Sequence, residues 1–219
     1  MLGNMAQTII NFTDTAFLGH VGVIALGASM LAGLFYLLFT TVAAGFAIGI
    51  QIIVARRFGE KNFSRIGVIF EHGSLFVLLL GSILFSVLYF FSDRLLLLLI
   101  DSPNLYDASV EYIKYRQFGI LFVCFNYLYR ALYVGISNTK VITYSTLIMA
   151  AVNILLDYCL IFGNLGFPQM GISGAALASL SAELSACIFF TADSYITLRK
   201  REFGMFRAHR LESELMGRI

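Results

Sequence analysis

Long apolar runs alternate with short polar breaks along the whole sequence, and the lengths of the runs indicate the fold class. A helix needs about 20 mainly apolar residues to cross the hydrocarbon core of a bilayer, where every backbone polar group must be hydrogen-bonded within the chain. Runs near or above that length cover residues 1–18, 24–55, 66–91, 109–136, 141–162 and 172–198. The pattern predicts an all-α integral membrane protein, a bundle of six transmembrane helices.

The breaks between the runs carry residues that favour turns. They read GHVG after the first run, RRFGEKN after the second, SDR after the third, GISNTK after the fourth and GNLGFPQMG after the fifth. The leucine-rich stretch LLLLLID, residues 95–101, is too short to cross a bilayer. We expect it to lie in the membrane interface before Pro103 restarts the chain.

Small residues recur at four-residue spacing in two of the runs. Gly45 and Gly49 have this spacing in the second run, and Gly174, Ala178 and Ala182 have it in the sixth. Small side chains at this spacing share one helical face and let a neighbouring helix approach closely. We therefore expect both stripes to be helix-packing surfaces without chemistry of their own.

The composition excludes an ordinary soluble domain. Hydrophobic residues make up 59% of the 219 residues and charged residues only 13%, against about a quarter charged in soluble domains. The net charge of +2 is too small to indicate a nucleic-acid partner. Three cysteines, odd in number and widely spaced inside apolar runs, argue against a disulfide framework or a metal-ligand cluster. The expected surrounding is a lipid bilayer, and no cofactor is expected.

Basic residues are concentrated after the second, fourth and sixth runs. They are Arg56, Arg57, Lys61 and Arg65, then Arg130 and Lys140, then Arg199, Lys200, Arg201, Arg207 and Arg210. Because cytoplasmic loops are enriched in Lys and Arg, the pattern predicts a multi-pass protein of the plasma or inner membrane with both termini in the cytoplasm. Lys114 and Arg116, near the outer start of the fourth run, are exceptions to it.

Both ends of the sequence indicate part of a longer protein. The first run begins at Met1 with barely enough residues to cross, and residues 199–219 form a basic, mixed-charge stretch of the kind that connects one membrane bundle to another. We expect residues 1–198 to form one six-helix lobe and residues 199–219 to begin a cytoplasmic linker between lobes.

Three of the runs carry polar side chains at helical spacing, although a charge at mid-bilayer costs about 2.5 to 3.5 kcal/mol. They are Gln7, Asn11 and Asp14 in the first run, Asn153 and Asp157 in the fifth, and Ser179 and Glu183 in the sixth. If these faces converge on one cavity, crowded carboxyl groups can hold a proton and release it when a cation arrives. This predicts a proton or sodium site. The alternative is interhelical hydrogen bonding worth about 0.6 to 2 kcal/mol per contact.

Four stretches of the sequence together resemble the multidrug and toxic compound extrusion (MATE) transporter family. They read NFTDTAFLGHVG, ARRFGEKN, GISNTK and NILLDYCLIFGNLGFPQMGISGAALAS. The resemblance implies a transporter of twelve helices in two six-helix lobes, of which this sequence is the N-terminal lobe with its first helix clipped. The C-terminal lobe is then missing from the sequence.

The same resemblance implies roles for individual residues. The family's N-lobe cation site falls on Asp14, Asn153 and Asp157, with a hydroxyl from Ser179, while Glu183 stands where relatives often carry Gln or an acid. Inward flow of H⁺ or Na⁺ is then expected to drive the expulsion of small organic, often cationic, compounds. No metal ion beyond Na⁺ is expected, and the residues do not favour either coupling ion.

Two alternatives belong to other classes of molecule. The stretch GISG, residues 171–174, matches the GxSG motif of rhomboid proteases, which are six-helix membrane bundles. No histidine follows it within a run to act as the base that a serine nucleophile needs, so we do not expect an enzyme. The second alternative is a homodimer in which two copies of this chain supply both lobes.

Overall fold

Helices joined by short connections make up the part of the chain that the structure describes. This computed structural model describes residues 2–198 and Phe203, with side chains from Gln7 onward, so most of the predicted linker 199–219 lies outside it. The helices are α1 (Leu2–Val21), α2 (Val23–Gly59), α3 (Phe63–Leu97), α4 (Pro103–Arg116), α5 (Ile120–Gly135), α6 (Thr139–Phe162) and α7 (Gly171–Asp193). Short turns of 3₁₀ helix (Gln117–Gly119 and Asn164–Gly166) and of π helix (Ser194–Leu198) complete them.

Most of these helices are built to cross a membrane. Within the described residues, five stretches are long and apolar enough for it: Val23–Gly59, Phe63–Leu97, Pro103–Gly135, Thr139–Phe162 and Gly171–Leu198. The more polar α1 has 20 residues and runs beside α6, where the rings of Phe17 and Phe162 meet edge to face at 5.4 Å. The predicted all-α multi-pass membrane fold is confirmed.

The fourth crossing differs from the single helix expected over residues 109–136. It begins earlier, at Pro103, whose fixed φ and missing N–H suit the first helical position. A 3₁₀ turn at Gln117–Gly119 then separates α4 from α5. The leucine-rich stretch also differs from expectation, because α3 continues through Leu95 and ends at Leu97.

Helices α6 and α7 cross closely. Gly163, with φ at 74°, ends α6 in the left-handed conformation that glycine adopts without strain. A Cβ added at Gly174 would lie 2.7 Å from the carbonyl carbon and oxygen of Leu160. Ala178 and Ala182, one and two turns further along α7, are also buried. The packing role expected for this small-residue stripe is therefore confirmed.

The other small-residue stripe does not pack as expected. A Cβ added at Gly45 or Gly49 would meet no atom of the described chain within 4 Å. The buried small residues of α2 are instead alanines on a different face, among them Ala43 and Ala47. Within this lobe, the spacing of the two glycines is therefore not a helix-packing signal.

The basic break after α2 is held by an acidic residue. Arg56 and Arg57 both donate to the carboxylate of Glu60, at 3.0 and 2.7 Å. Hydrogen bonds from Arg57 and then Arg56 lower the pKa of this exposed carboxyl group. One acid thus offsets part of the positive charge that predicts a cytoplasmic loop here, and the orientation stays a prediction.

Polar contacts between α5 and α7 lock one end of the bundle. The hydroxyl of Tyr133, which is fully buried, donates to Asp193 Oδ2 at 2.6 Å. One turn earlier, Tyr129 and Thr191 share a hydrogen bond of 3.0 Å. Hydrogen bonds to charged groups are stronger than neutral ones, so the Tyr133 contact should carry most of this stabilisation.

Replacing Tyr133 by Phe is expected to destabilise the fold, because it removes the 2.6 Å hydrogen bond to the half-buried Asp193 carboxylate and leaves only the longer 3.4 Å contact from Thr197. The expected loss is about 1.5 kcal/mol, or roughly 3 to 6 °C in melting temperature. Melting can be followed with a maleimide dye, since Cys124 and Cys159 are free, buried thiols that unfolding exposes. Tyr106→Phe is the matched control: its exposed hydroxyl makes only a 3.4 Å contact to Asp93 O, and an equal loss there would contradict the prediction.

Candidate functional site

A cavity of about 390 Å³ opens between α1, α2, α4, α5, α6 and α7. Residues singled out from the sequence line it, and they come from three helices: Gln7, Asn11, Asp14, Asn153, Ser179 and Glu183. Asp157 is not part of the lining and lies fully buried one helical turn beyond Asn153. The structure thus brings the polar faces of α1, α6 and α7 to one place.

Asp14 and Asp157 are the centre of this arrangement. The contact of α1 with α6 places their carboxyl groups side by side. This contact does not have the geometry of a hydrogen bond, and both oxygens of Asp157 and the Oδ1 of Asp14 have no hydrogen-bond partner in the described part of the chain. Two acids in such contact are stable only if they share a proton or hold a cation between them.

Asn153 adds neutral polar atoms to the two acids. It lies four residues before Asp157 on α6, is 1% exposed, and neither its amide oxygen nor its amide nitrogen has a partner among the described residues. Leaving a buried polar group unpaired costs about 1–3 kcal/mol. Helix packing alone therefore does not explain why these groups lie here, and a small cation would satisfy the unpaired oxygen atoms of Asn153 and of the two aspartates.

The donor set fits a proton or Na⁺ and not a transition metal. Carboxylate and amide oxygens are the ligands of hard cations, whereas soft metals favour thiolate and imidazole. Among the described residues, no group of three or more His, Cys, Asp or Glu side chains could hold a metal ion. Ser179 lines the cavity from α7, and Gln7 donates to Asn11 at 3.3 Å along α1.

A second pair of charges, which the sequence did not predict, lies in the same cavity. Arg116 faces Glu183 with both guanidinium nitrogens: Nη1 donates to Oε2 at 2.7 Å, and Nη2 donates to Oε1. The guanidinium carbon also lies 4.2 Å from the centre of the Tyr36 ring. Glu183 is therefore not a free acid, because it is the counter-ion of a buried arginine.

Two features of the sequence could have revealed this pair. Arg116 follows Tyr112 by four residues, so the two side chains share one face of α4, and Tyr112 also lines the cavity. A buried acid such as Glu183 requires a basic partner. Arg116 instead stood as an exception to the orientation rule, although the structure places it inside the bundle.

The serine of the GxSG stretch is not arranged as a nucleophile. Ser173 is buried in the first turn of α7 and donates to the carboxylate of Glu111 on α4. The following residue, Gly174, packs against the backbone of Leu160. A serine hydroxyl that donates to a carboxylate across a helix contact has a structural role. The GxSG stretch therefore does not support the protease alternative.

Relatives of this chain are transporters that are about twice as long. The chain is 30% identical to a probable multidrug resistance protein NorM of Agrobacterium fabrum over 196 residues, which are 90% of this chain and 42% of that protein. It is 32% identical to another of that name from Rhizobium meliloti over 180 residues, 82% of this chain and 38% of that one. The chain thus spans about two fifths of the length of these relatives.

Solved structures share the fold. A MOP superfamily transporter from Pyrococcus furiosus superposes on all of this chain and on 47% of its own length, with a TM-score of 0.88 and 21% identity. An outward-facing multidrug resistance MATE family transporter gives a TM-score of 0.87 with 22% identity, over all of this chain and 48% of its own. The described helices therefore have the fold of half a transporter.

The family itself follows from the match to its sequence model. The MatE model covers residues 1–159, a stretch that contains α1, α2, α3, α4, α5 and most of α6. It includes the three residues whose unpaired polar atoms meet beside the cavity, Asp14, Asn153 and Asp157. Since well over half of the sequence is matched, the resemblance to the multidrug and toxic compound extrusion transporters is confirmed, and this chain belongs to the MatE family.

Proposed function

We propose that the chain is the N-terminal lobe of a cation-coupled antiporter that expels small organic compounds, often cationic ones, from the cell. The observation that carries the proposal is the contact between Asp14 and Asp157, whose buried oxygens lack partners beside a cavity. A second lobe, outside this sequence, would complete the transport path. The family's members are secondary transporters and not enzymes, which agrees with this proposal.

The coupling step is a change in the charge of the aspartate pair. Two ionised carboxyl groups in contact repel each other, so a proton or Na⁺ bound between Asp14 and Asp157 relieves that repulsion. Because the cation neutralises charge inside the bundle, its binding favours a different packing of α1 against α6. Antiport follows if organic substrate and cation stabilise opposite orientations of the two lobes.

The membrane potential supplies energy for such a cycle. One positive charge that enters across 100 mV releases about 2.3 kcal/mol, which corresponds to roughly a 50-fold concentration gradient of substrate. The proposed orientation has both ends of this lobe in the cytoplasm of the plasma or inner membrane. The cation then reaches the aspartate pair from outside, because both acids lie in the second halves of α1 and α6, which run outward in this orientation.

Transport in proteoliposomes tests the proposal. The complete transporter, this lobe together with its second lobe, would be reconstituted, and a fluorescent lipophilic cation such as ethidium would be the substrate. An imposed Na⁺ gradient or an imposed proton gradient, applied separately, is expected to drive ethidium movement against its own gradient. An ionophore that collapses the gradient is the control, and transport indifferent to both gradients would contradict cation coupling.

A further inference from the structure

The second charged pair of the cavity, Arg116 with Glu183, has no part in the function proposed above. Its side chains are only 13% and 12% exposed, so two charges have been removed from water. Replacing a buried ion pair by well-packed apolar residues is often neutral or stabilising. Fold stability is therefore a weak reason for this pair.

The pair acts on the aspartates next to it. Arg116 attracts the carboxylate of Asp14 electrostatically across the cavity, while its guanidinium is held in a bidentate contact by Glu183 and lies over the ring of Tyr36. Glu183 is fixed in turn, since Asn126 Nδ2 donates to its backbone oxygen at 2.9 Å. A positive charge thus stands near the candidate cation site and is kept away from it by one acid.

The backbone leaves room for this arrangement. The 3₁₀ turn that follows Arg116 ends at Gly119, next to the ion pair. A Cβ added at Gly119 would lie 2.7 Å from Arg116 Nη1 and in hard contact with Glu183 Oε2. The break between α4 and α5 therefore makes the space in which the guanidinium and the carboxylate meet.

We propose that Arg116 and Glu183 are a positioning pair that sets how tightly the Asp14–Asp157 site holds its cation. This rests on the proposed function, because the site must bind a cation. While Glu183 holds the guanidinium, the charges of the pair cancel and the cation meets two aspartates. When Glu183 is neutral, Arg116 becomes a tethered cation that competes for Asp14.

The sign of each charge change follows directly. Loss of the Glu183 charge leaves Arg116 uncompensated, so cation affinity falls. Loss of the Arg116 charge leaves an additional carboxylate in the cavity, so cation affinity rises. Loss of both charges restores the original net charge of the cavity, so cation affinity returns toward its original value. A pair that merely braced the helices would give two single variants that change in the same direction.

The experiment measures cation affinity in the 219-residue chain in lipid nanodiscs. Melting is followed with the maleimide dye while Na⁺ replaces choline at constant ionic strength, and in a second series while the pH is varied in choline alone. Each variant changes only its own residue. The charged and titratable groups that line the cavity, with Asp157 behind its wall, are Asp14, Asp157, Glu183, Tyr36, Tyr112, Tyr127, Arg116 and Arg130.

The expected results differ in sign between the variants. Glu183→Gln should raise the half-saturating cation concentration about tenfold, and Arg116→Gln should lower it roughly threefold to tenfold. The double variant should return to within about threefold of the wild-type concentration. Arg116→Lys keeps the charge and loses the bidentate contact. Its affinity should stay near wild type even if its melting temperature falls, which separates charge from packing.

Each remaining outcome decides between the two proposals. Single variants that both weaken binding, or a double variant no better than the worse single, would overturn the positioning role. If Glu183→Gln does not fold, the comparison of Arg116→Gln with Arg116→Lys still decides, because equal affinities would contradict the proposal. A wild-type chain that responds to neither Na⁺ nor protons would overturn the proposed function, whereas a normal response unchanged in every variant would overturn only this inference.

Discussion

Replacing Asp157 by Asn is expected to abolish the response of the lobe to its coupling cation. The amide is nearly isosteric with the carboxyl group of the fully buried Asp157 but neutral, so the site loses one of the two charges that would hold the cation. The half-saturating concentration should rise at least about 100-fold, or about 2.8 kcal/mol. Titration of the melting temperature with Na⁺, and separately with protons, measures the effect. Asp14→Asn should raise the half-saturating concentration in the same way.

The same substitution should stabilise the lobe when no cation is added. Both carboxylate oxygens of Asp157 lack hydrogen-bond partners in the described part of the chain, and an amide at that position could donate to Asp14. The expected gain is about 1–3 kcal/mol, a trade of stability against function that is common at binding sites. If Asp157 only joined helices by hydrogen bonds, Asn would leave the melting temperature unchanged or lower it.

Asp107→Asn is the control for both effects. Asp107 is exposed on α4 and does not line the cavity, so its neutralisation removes the same charge from the chain without touching the site. Cation affinity and melting temperature should both stay close to wild type. A shift equal to that of Asp157→Asn would mean that net charge, and not the aspartate pair, governs the response.

Helical spacing was enough to predict which polar residues would meet. Asn11 and Asp14, or Asn153 and Asp157, share a face of any helix that contains them, since a helix repeats every 3.6 residues. Such a face is too costly to point into lipid, so it turns inward whatever the details of packing. Spacing could not show that Asp157 lies behind the cavity wall while Asn153 lines it, because that depends on the rotation of α6 against α1.

Arg116 was missed because its depth depends on where its helix begins. A run counted from residue 109 puts Arg116 near the outer membrane surface, about 10 Å into the helix. In the structure α4 begins at Pro103, so Arg116 comes about 20 Å along it, near the middle of the crossing. The apolar run could not reveal this start, since the first turns of α4 are polar and lie outside the run.

Gly174→Ala is expected to damage the fold more than any other single methyl group added to this lobe's glycine stripes. The new Cβ would stand 2.7 Å from the carbonyl group of Leu160 and 3.0 Å from the backbone nitrogen of Ile161. Backbone atoms of α6 cannot move aside as a side-chain tip can, so α6 and α7 must move apart at this crossing. Overpacking of this kind costs about 1–3 kcal/mol, or roughly 2 to 12 °C in melting temperature.

The effect reaches the cation site, because α6 and α7 carry Asn153, Asp157 and Ser179. Gly45→Ala is the matched control: the same methyl group is added to a helical glycine, but its Cβ meets no atom of the described chain within 4 Å. Relief of glycine's backbone entropy should then raise stability by about 0.4–1 kcal/mol. The maleimide melt should therefore show a lower melting temperature for Gly174→Ala and a higher one for Gly45→Ala, and cation titration should show weaker binding for Gly174→Ala alone. A Gly174→Ala lobe that melts like wild type and binds its cation equally well would show that α6 can yield there, and the close crossing would no longer explain how the site is held.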